Sequence, residues 1–133
     1  MDNNSAQPTE IKLHQQSRVL EISFANGKTF SLPCEFLRVY SPSAEVRGHG
    51  PGQEVLQVGK KLVEITHIEP AGSYAITLTF SDGHDTGIYS WDLLYDYGLR
   101  HEEMWQHYLK RLAEAGASRE AVAAPFEQRP KSK

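Results

Sequence analysis

His84 stands between Asp82 and Asp85 in the run Phe80-Ser-Asp-Gly-His-Asp-Thr-Gly-Ile-Tyr-Ser-Trp91. A carboxylate beside an imidazole raises the histidine pKa and fixes its tautomer, which suits proton transfer or metal ligation. The competing reading is a turn in which Asp82 caps its own backbone and His84 is a partly exposed hairpin residue. The other histidines, His14, His49, His67, His101 and His107, show no Cys/His ligand spacing, and His-Glu-x-x-His is absent. His49, flanked by Gly48 and Gly50, sits where a mobile side chain reaches a ligand. Cys34 falls in a predicted first helical turn with no adjacent base, and Gly-x-Ser-x-Gly is missing, so nucleophilic catalysis has little support. Neither phosphate-binding glycine motif occurs.

The elements that position these residues follow from pattern and punctuation. Residues 1–9 are polar, broken by Pro8, and read as a flexible lead-in. Val19, Leu20, Ile22 and Phe24 lead into Ala25-Asn-Gly-Lys28, with Phe30 and Leu32 beyond. This pattern predicts two antiparallel strands around an Asn-Gly turn of type I′. Pro33 starts a short helix through Tyr40. From Ser41 to Gly59, prolines and glycines break every period and predict a long loop, a functional candidate on length alone. Leu62, Val63, Ile65 and Ile68, then Tyr74, Ile76, Leu78 and Phe80, form two more strands. Asp82-Gly83 turns the chain again, Ser90 caps a helix, and Gly98 ends it.

A last helix over residues 100–115 carries Met104, Trp105, Tyr108, Leu109 and Leu112 on one face, with Gly116 as its stop. That stripe covers the sheet or serves as a surface for self-association. In residues 119–133, Arg119, Arg129, Lys131 and Lys133 outweigh Glu120 and Glu127, so this tail reads as mildly basic and disordered.

Leu20 to Leu32 overlays Ile76 to Ile88 without gaps, matching Phe24 with Phe80 and Gly27 with Gly83, and the register reaches Leu37 and Leu93. Two hairpin-helix units sharing one sheet are therefore expected, with Lys28 and His84 at equivalent turn positions. At 133 residues and 39% hydrophobic content, the chain fits one domain of α+β class, a mainly antiparallel β-sheet covered by a C-terminal amphipathic helix. A net charge of −3 supplies no field for nucleic acid or an anionic membrane. The single cysteine excludes an intrachain disulfide, and no segment is apolar enough to span a bilayer, so a cytoplasmic protein is expected.

The runs Leu32-Pro-Cys-Glu-Phe-Leu-Arg-Val-Tyr-Ser-Pro-Ser-Ala-Glu-Val-Arg-Gly-His49 and Tyr74 to Asp92 closely resemble the gamma-butyrobetaine hydroxylase-like N-terminal domain. That domain also occurs as small bacterial proteins of unknown function. The resemblance extends from about Glu10 to Gly98, giving a domain over residues 10–118 once the last helix is included. In the hydroxylases this domain holds a structural zinc through three cysteines and one histidine. The resemblance places Ser41, Ser43 and Val46 at the cysteine positions and His84 at the histidine position, so loss of the zinc is expected and no cofactor is implied. The length leaves no room for the iron and 2-oxoglutarate domain. A related domain is appended to Mrp-like P-loop ATPases that carry iron–sulfur clusters, which implies an accessory role beside metal-cofactor or oxygenase proteins.

The resulting expectation is a non-catalytic binding or adaptor module with a protein partner. Self-association through the 100–115 helix is a second expectation. The alternative is a small-ligand or metal-binding protein, with enzymatic activity in its strongest form. Its ligand candidates are Arg38, Tyr40, Ser41, Ser43, His49, Asp82 and His84, and His84 is its metal ligand.

Overall fold

The computed structural model describes residues 7–48, 50 and 52–120. The expectations for residues 1–6, for His49 and for residues 121–133 lie outside the described residues. β1 (Pro8–His14), β2 (Val19–Phe24) and β3 (Thr29–Pro33) form one antiparallel sheet in that order; β4 (Ile65–Ala71), β5 (Ala75–Phe80) and β6 (Ile88–Ser90) form another. Helix α1 (Cys34–Val39) follows β3, α2 (Ala44–Arg47) lies in the next connection, and α3 (Trp91–Ala115) follows β6.

The α+β class and the antiparallel pairing agree with the sequence reading, but the strands divide into two sheets rather than one. Each sheet is a meander feeding a helix, so the internal repeat is structural. Strand alternation decides which side is buried: Leu20, Ile22 and Phe24 on β2 and Ile76, Leu78 and Phe80 on β5 enter a shared core with Phe36 and Leu37 of α1 and Leu94 and Tyr97 of α3. Each such side chain fully buried contributes about 1.5–3 kcal/mol. Leu62 and Tyr74, expected on strands, lie outside β4 and β5 and are exposed.

The two hairpin turns share one geometry. Gly27 donates its amide to Phe24 O at 3.0 Å and Phe24 donates to Lys28 O at 2.8 Å; Gly83 donates to Phe80 O at 2.9 Å and Phe80 to His84 O at 2.9 Å. Only the glycine takes positive φ, 91° at Gly27 and 93° at Gly83, while Asn26 does not. These are therefore three-residue loops with a left-handed glycine, not type I′ turns. The Asx side chain closes each from within: Asn26 Oδ1 accepts from Lys28 N at 3.0 Å and Asp82 Oδ1 from His84 N at 3.2 Å.

Other boundaries also move. Pro8 and Thr9 belong to β1 rather than to a lead-in, and α2 interrupts the 41–59 loop. Gly98 does not end a helix, because α3 runs through it for 25 residues. A Cβ at position 98 would meet the Phe30 ring at 2.3 Å, so glycine serves here to let β3 approach α3. Ser90 Oγ accepts from Leu93 N at 3.1 Å at the start of α3, and Gly116 caps its end at φ 64°. Met104, Tyr108 and Leu112 of the predicted stripe are buried, and Trp105 and Leu109 are half-buried.

Tyrosine hydroxyls stitch these elements together. Tyr97 donates to Tyr40 O at 2.6 Å, Tyr40 to Met104 O at 2.8 Å, Tyr89 to Leu37 O at 2.6 Å and Tyr108 to Gln57 O at 2.7 Å. Burial drives the Tyr108 phenol up to about 12, and those of Tyr40, Tyr89 and Tyr97 also lie above their ordinary value. All four remain neutral donors at physiological pH.

Candidate functional site

The Asp82 turn projects its carboxylate toward α1. Asp82 Oδ2 accepts from Arg38 Nε at 2.9 Å and from Lys60 Nζ at 2.5 Å, while Oδ1 holds the His84 amide. Burial alone would raise this carboxyl, but Lys60, the His84 amide and Arg38 together hold it down at about 2. Asp82 is thus a fixed anion that pins the second hairpin to the buried α1 guanidinium.

His84 leans the other way. Its Nε2 lies 2.8 Å from Ser41 Oγ and its Nδ1 3.2 Å from Glu45 Oε1. One sequence reading had the imidazole pKa raised by a neighbouring carboxylate and the other had a partly exposed hairpin residue; the ring is buried and its pKa is lowered. Burial is the main cause and the Arg38 charge the next, with Glu45 and Asp82 opposing them. Asp82 faces Arg38 rather than the ring, and among the described residues Asp85 forms no hydrogen bond or ion pair with it.

Hydroxyl, imidazole and carboxylate are therefore joined in the order of a nucleophile, base and orienting acid. The sequence reading named Ser41 and His84 together through the family resemblance but missed Glu45, because no motif contiguous in sequence joins residues as far apart as the 43 positions between Ser41 and His84. Packing encloses the serine of this set. Ser41 is 1% exposed, its Oγ also accepts from Ser43 N at 3.2 Å, and a Cβ at Gly87 would lie 2.5 Å from that oxygen. Ser43 Oγ meets Thr86 Oγ1 at 2.7 Å and accepts from Glu45 N at 3.1 Å, capping α2.

Beside this cluster an open cleft of about 1030 Å³ runs between α2 and α3. Val39, Val46, Leu93 and Met104 supply apolar lining, Tyr40 and Tyr97 its aromatic wall, and Arg47, Arg100 and Arg111 its cations. Ser41 touches the same cleft, but Arg38, Asp82 and His84 do not line it. The predicted ligand candidates thus separate: Arg38 joins Asp82, Ser41 joins His84, Ser43 joins Thr86, and Tyr40 faces the cleft. Arg47, Arg100 and Arg111 carried no signal in the sequence, since arginines on helices ordinarily face solvent.

The family model described as gamma-butyrobetaine hydroxylase-like, N-terminal, matches residues 11–95. The chain belongs to this family. Two NMR solution structures are similar to it, each with a TM-score of 0.75. One is 48% identical over 86% of this chain and 90% of its own; the other is 55% identical over 87% and 86%. A crystal structure of a protein of unknown function from Acidithiobacillus ferrooxidans ATCC 23270 is 36% identical, with a TM-score of 0.54, over 70% of this chain and 93% of that one. No curated protein matches the chain.

For a member of the gamma-butyrobetaine hydroxylase-like N-terminal family, the donor set around His84 does not fit a structural zinc. At the positions implied for cysteine stand two hydroxyls, Ser41 and Ser43, already hydrogen-bonded, and the apolar Val46. Both ring nitrogens of His84 have partners, and no group of three or more His, Cys, Asp or Glu suited to a metal occurs among the described residues. Cys34 is buried in the core, and desolvation raises its thiol. No helix among the described residues is long and apolar enough to cross a membrane.

Proposed function

We propose that this chain is a non-catalytic binding module, accessory to metal-cofactor or oxygenase proteins and joined to them through a protein partner. One observation carries the binding reading: the polar groups of the Ser41–His84–Glu45 set are spent on one another, while the adjoining cleft is open. Family membership supports the accessory role by association only. A fluorophosphonate probe tests the non-catalytic half. Ser41 remains unlabelled in the folded protein, and mass-spectrometric detection of a phosphonylated Ser41 would sink the reading. For the binding half, a panel of small metabolites is screened by thermal melting. A ligand that raises the midpoint of the wild type raises that of Met104→Glu, which places a charge in the cleft, by a smaller amount.

The second reading, a ligand or metal site at His84 with enzymatic activity, is favoured by the linear Ser41–His84–Glu45 geometry alone. Elemental analysis of the purified protein decides its metal form, with His84→Ala as control. Stoichiometric metal lost in the variant supports it; none in the wild type removes it. Self-association through the 100–115 helix belongs to the first reading and is checked by light scattering over about two decades of concentration, because subunit exchange follows mass action.

A further inference from the structure

The cleft between α2 and α3 distributes its charge unevenly. Arg100 is committed along α3, with Nη2 2.9 Å from Asp96 Oδ2 and Nη1 3.7 Å from Glu103 Oε2. These bonds use the two acids on that lip. Arg47, at the end of α2, and Arg111, three turns further along α3, have no ion-pair partner among the described residues, and the remaining acid in the lining is Glu54. Among the described residues, two guanidiniums without an ion pair, one of them hydrogen-bonded to the Tyr97 hydroxyl, thus share the cleft with one unpaired carboxylate.

Backbone geometry holds this edge in place. Gly48 caps α2 at φ 74°, and a Cβ there would lie 2.1 Å from Gln53 O, so the chain folds back tightly beside Arg47. Val55 N then donates to Val46 O at 2.8 Å and closes the lobe. Beneath the cations lie Val39, Val46, Leu93 and Met104, together with two tyrosines whose hydroxyls already donate to backbone carbonyls. The floor therefore offers apolar area and aromatic faces rather than free phenolic donors.

We propose that this cleft binds a small organic monoanion with an apolar body and a carboxylate head, the body on the Val39–Leu93–Met104 floor and the carboxylate between Arg47 and Arg111. A planar guanidinium fork matches a carboxylate bidentately, and partial desolvation over an apolar floor strengthens the contact. The inference rests on the binding-module reading and names the ligand class of the same cleft.

The test is an NMR titration of the full chain with octanoate, with its neutral isostere octanamide, and with inorganic phosphate. Octanoate is expected to shift the Met104 and Leu93 methyl resonances and the Arg111 side-chain Nε–H, with affinity at least about ten-fold above octanamide, the size of one charge-assisted hydrogen bond. Arg47→Gln and Arg111→Gln, both at partly or fully exposed positions, should each weaken octanoate by about five-fold or more while retaining the wild-type pattern of core resonances. Octanamide binding the cleft as well as octanoate overturns the anion inference and leaves the binding module intact. Phosphate matching octanoate overturns the role of the apolar floor, and a cleft silent to every probe overturns the inference, while the binding-module reading falls only if the metabolite melting screen also finds no ligand.

Discussion

Asp82 is a short side chain that serves three partners, and its removal separates two roles. Asp82→Ala leaves the buried Arg38 without its anion and opens the turn cap, a loss expected at about 2–4 kcal/mol in urea denaturation. Asp82→Asn keeps the Asx cap and loses the charge, so its midpoint should fall between the two. The pH dependence has a definite sign. With a folded pKa of about 2 against 3.8, Asp82 contributes stability that is complete above 3.8 and lost as pH falls toward 2. Its side chain retains 24% exposure, so after solvent screening this amounts to about 1–2 kcal/mol.

His84 acts in a different window: its folded pKa is below the ordinary 6.5, so on acidification the unfolded chain takes the proton first. Stability should fall as pH drops through 6.5 toward the lowered folded value. His101, also lowered by burial, adds to that slope. The readout is therefore the difference between wild type and His84→Gln, whose curve should be flatter between about pH 7 and 5. Sequence adjacency misjudged this residue. Asp82 and Asp85 flank His84 along the chain, but the turn directs Asp82 to Arg38, whereas Ser41 and Glu45 arrive from another connection.

Helix α3 shows how packing overrides a local signal. Gly98 reads as a stop because glycine disfavours helix interiors, yet the helix continues and the missing side chain admits the Phe30 ring. Helix propensity predicts that Gly98→Ala stabilises by about 1 kcal/mol. Overpacking predicts the opposite, a loss of about 1–3 kcal/mol, because the Cβ lies 2.3 Å from an aromatic ring atom. We expect the loss, measured by thermal and urea unfolding, and its partial relief in Gly98→Ala with Phe30→Leu. The paired Asx-Gly turns, by contrast, were legible from the overlay of Phe24 with Phe80 and Gly27 with Gly83, because local backbone chemistry sets them. Their type was not, since Asn tolerates the left-handed region without being obliged to enter it. Nor was the division into two sheets legible, because edge pairing between the repeats is a long-range choice that alternation leaves open.

Closure of the molecule depends on the segment following α3. Gly59 N donates to Ser118 O at 3.0 Å and Lys61 N to Arg119 O at 3.0 Å, so the chain after Gly116 lies along the connection leading to β4. Arg119 then returns to the first helix: Nε and Nη2 each donate to one Glu35 oxygen at 2.8 Å, and its guanidinium carbon sits 5.2 Å from the Trp105 ring centroid. Composition had assigned Arg119 and Glu120 to a tail. The clasp was not legible because Glu35 lies 84 positions away, and an arginine beside Ser118 has the same character whether paired or solvated. Glu35 is 6% exposed, so losing the guanidinium strands a buried carboxylate. Arg119→Ala should therefore cost about 2–4 kcal/mol. Arg119→Lys, which keeps the charge but not the two-pronged geometry, should recover only part of it. Glu35→Gln in the Arg119→Ala background separates the contributions: if stranded charge dominates, the neutral amide restores stability relative to Arg119→Ala alone, and a further loss would show that the Trp105 stack and the bidentate bonds matter more.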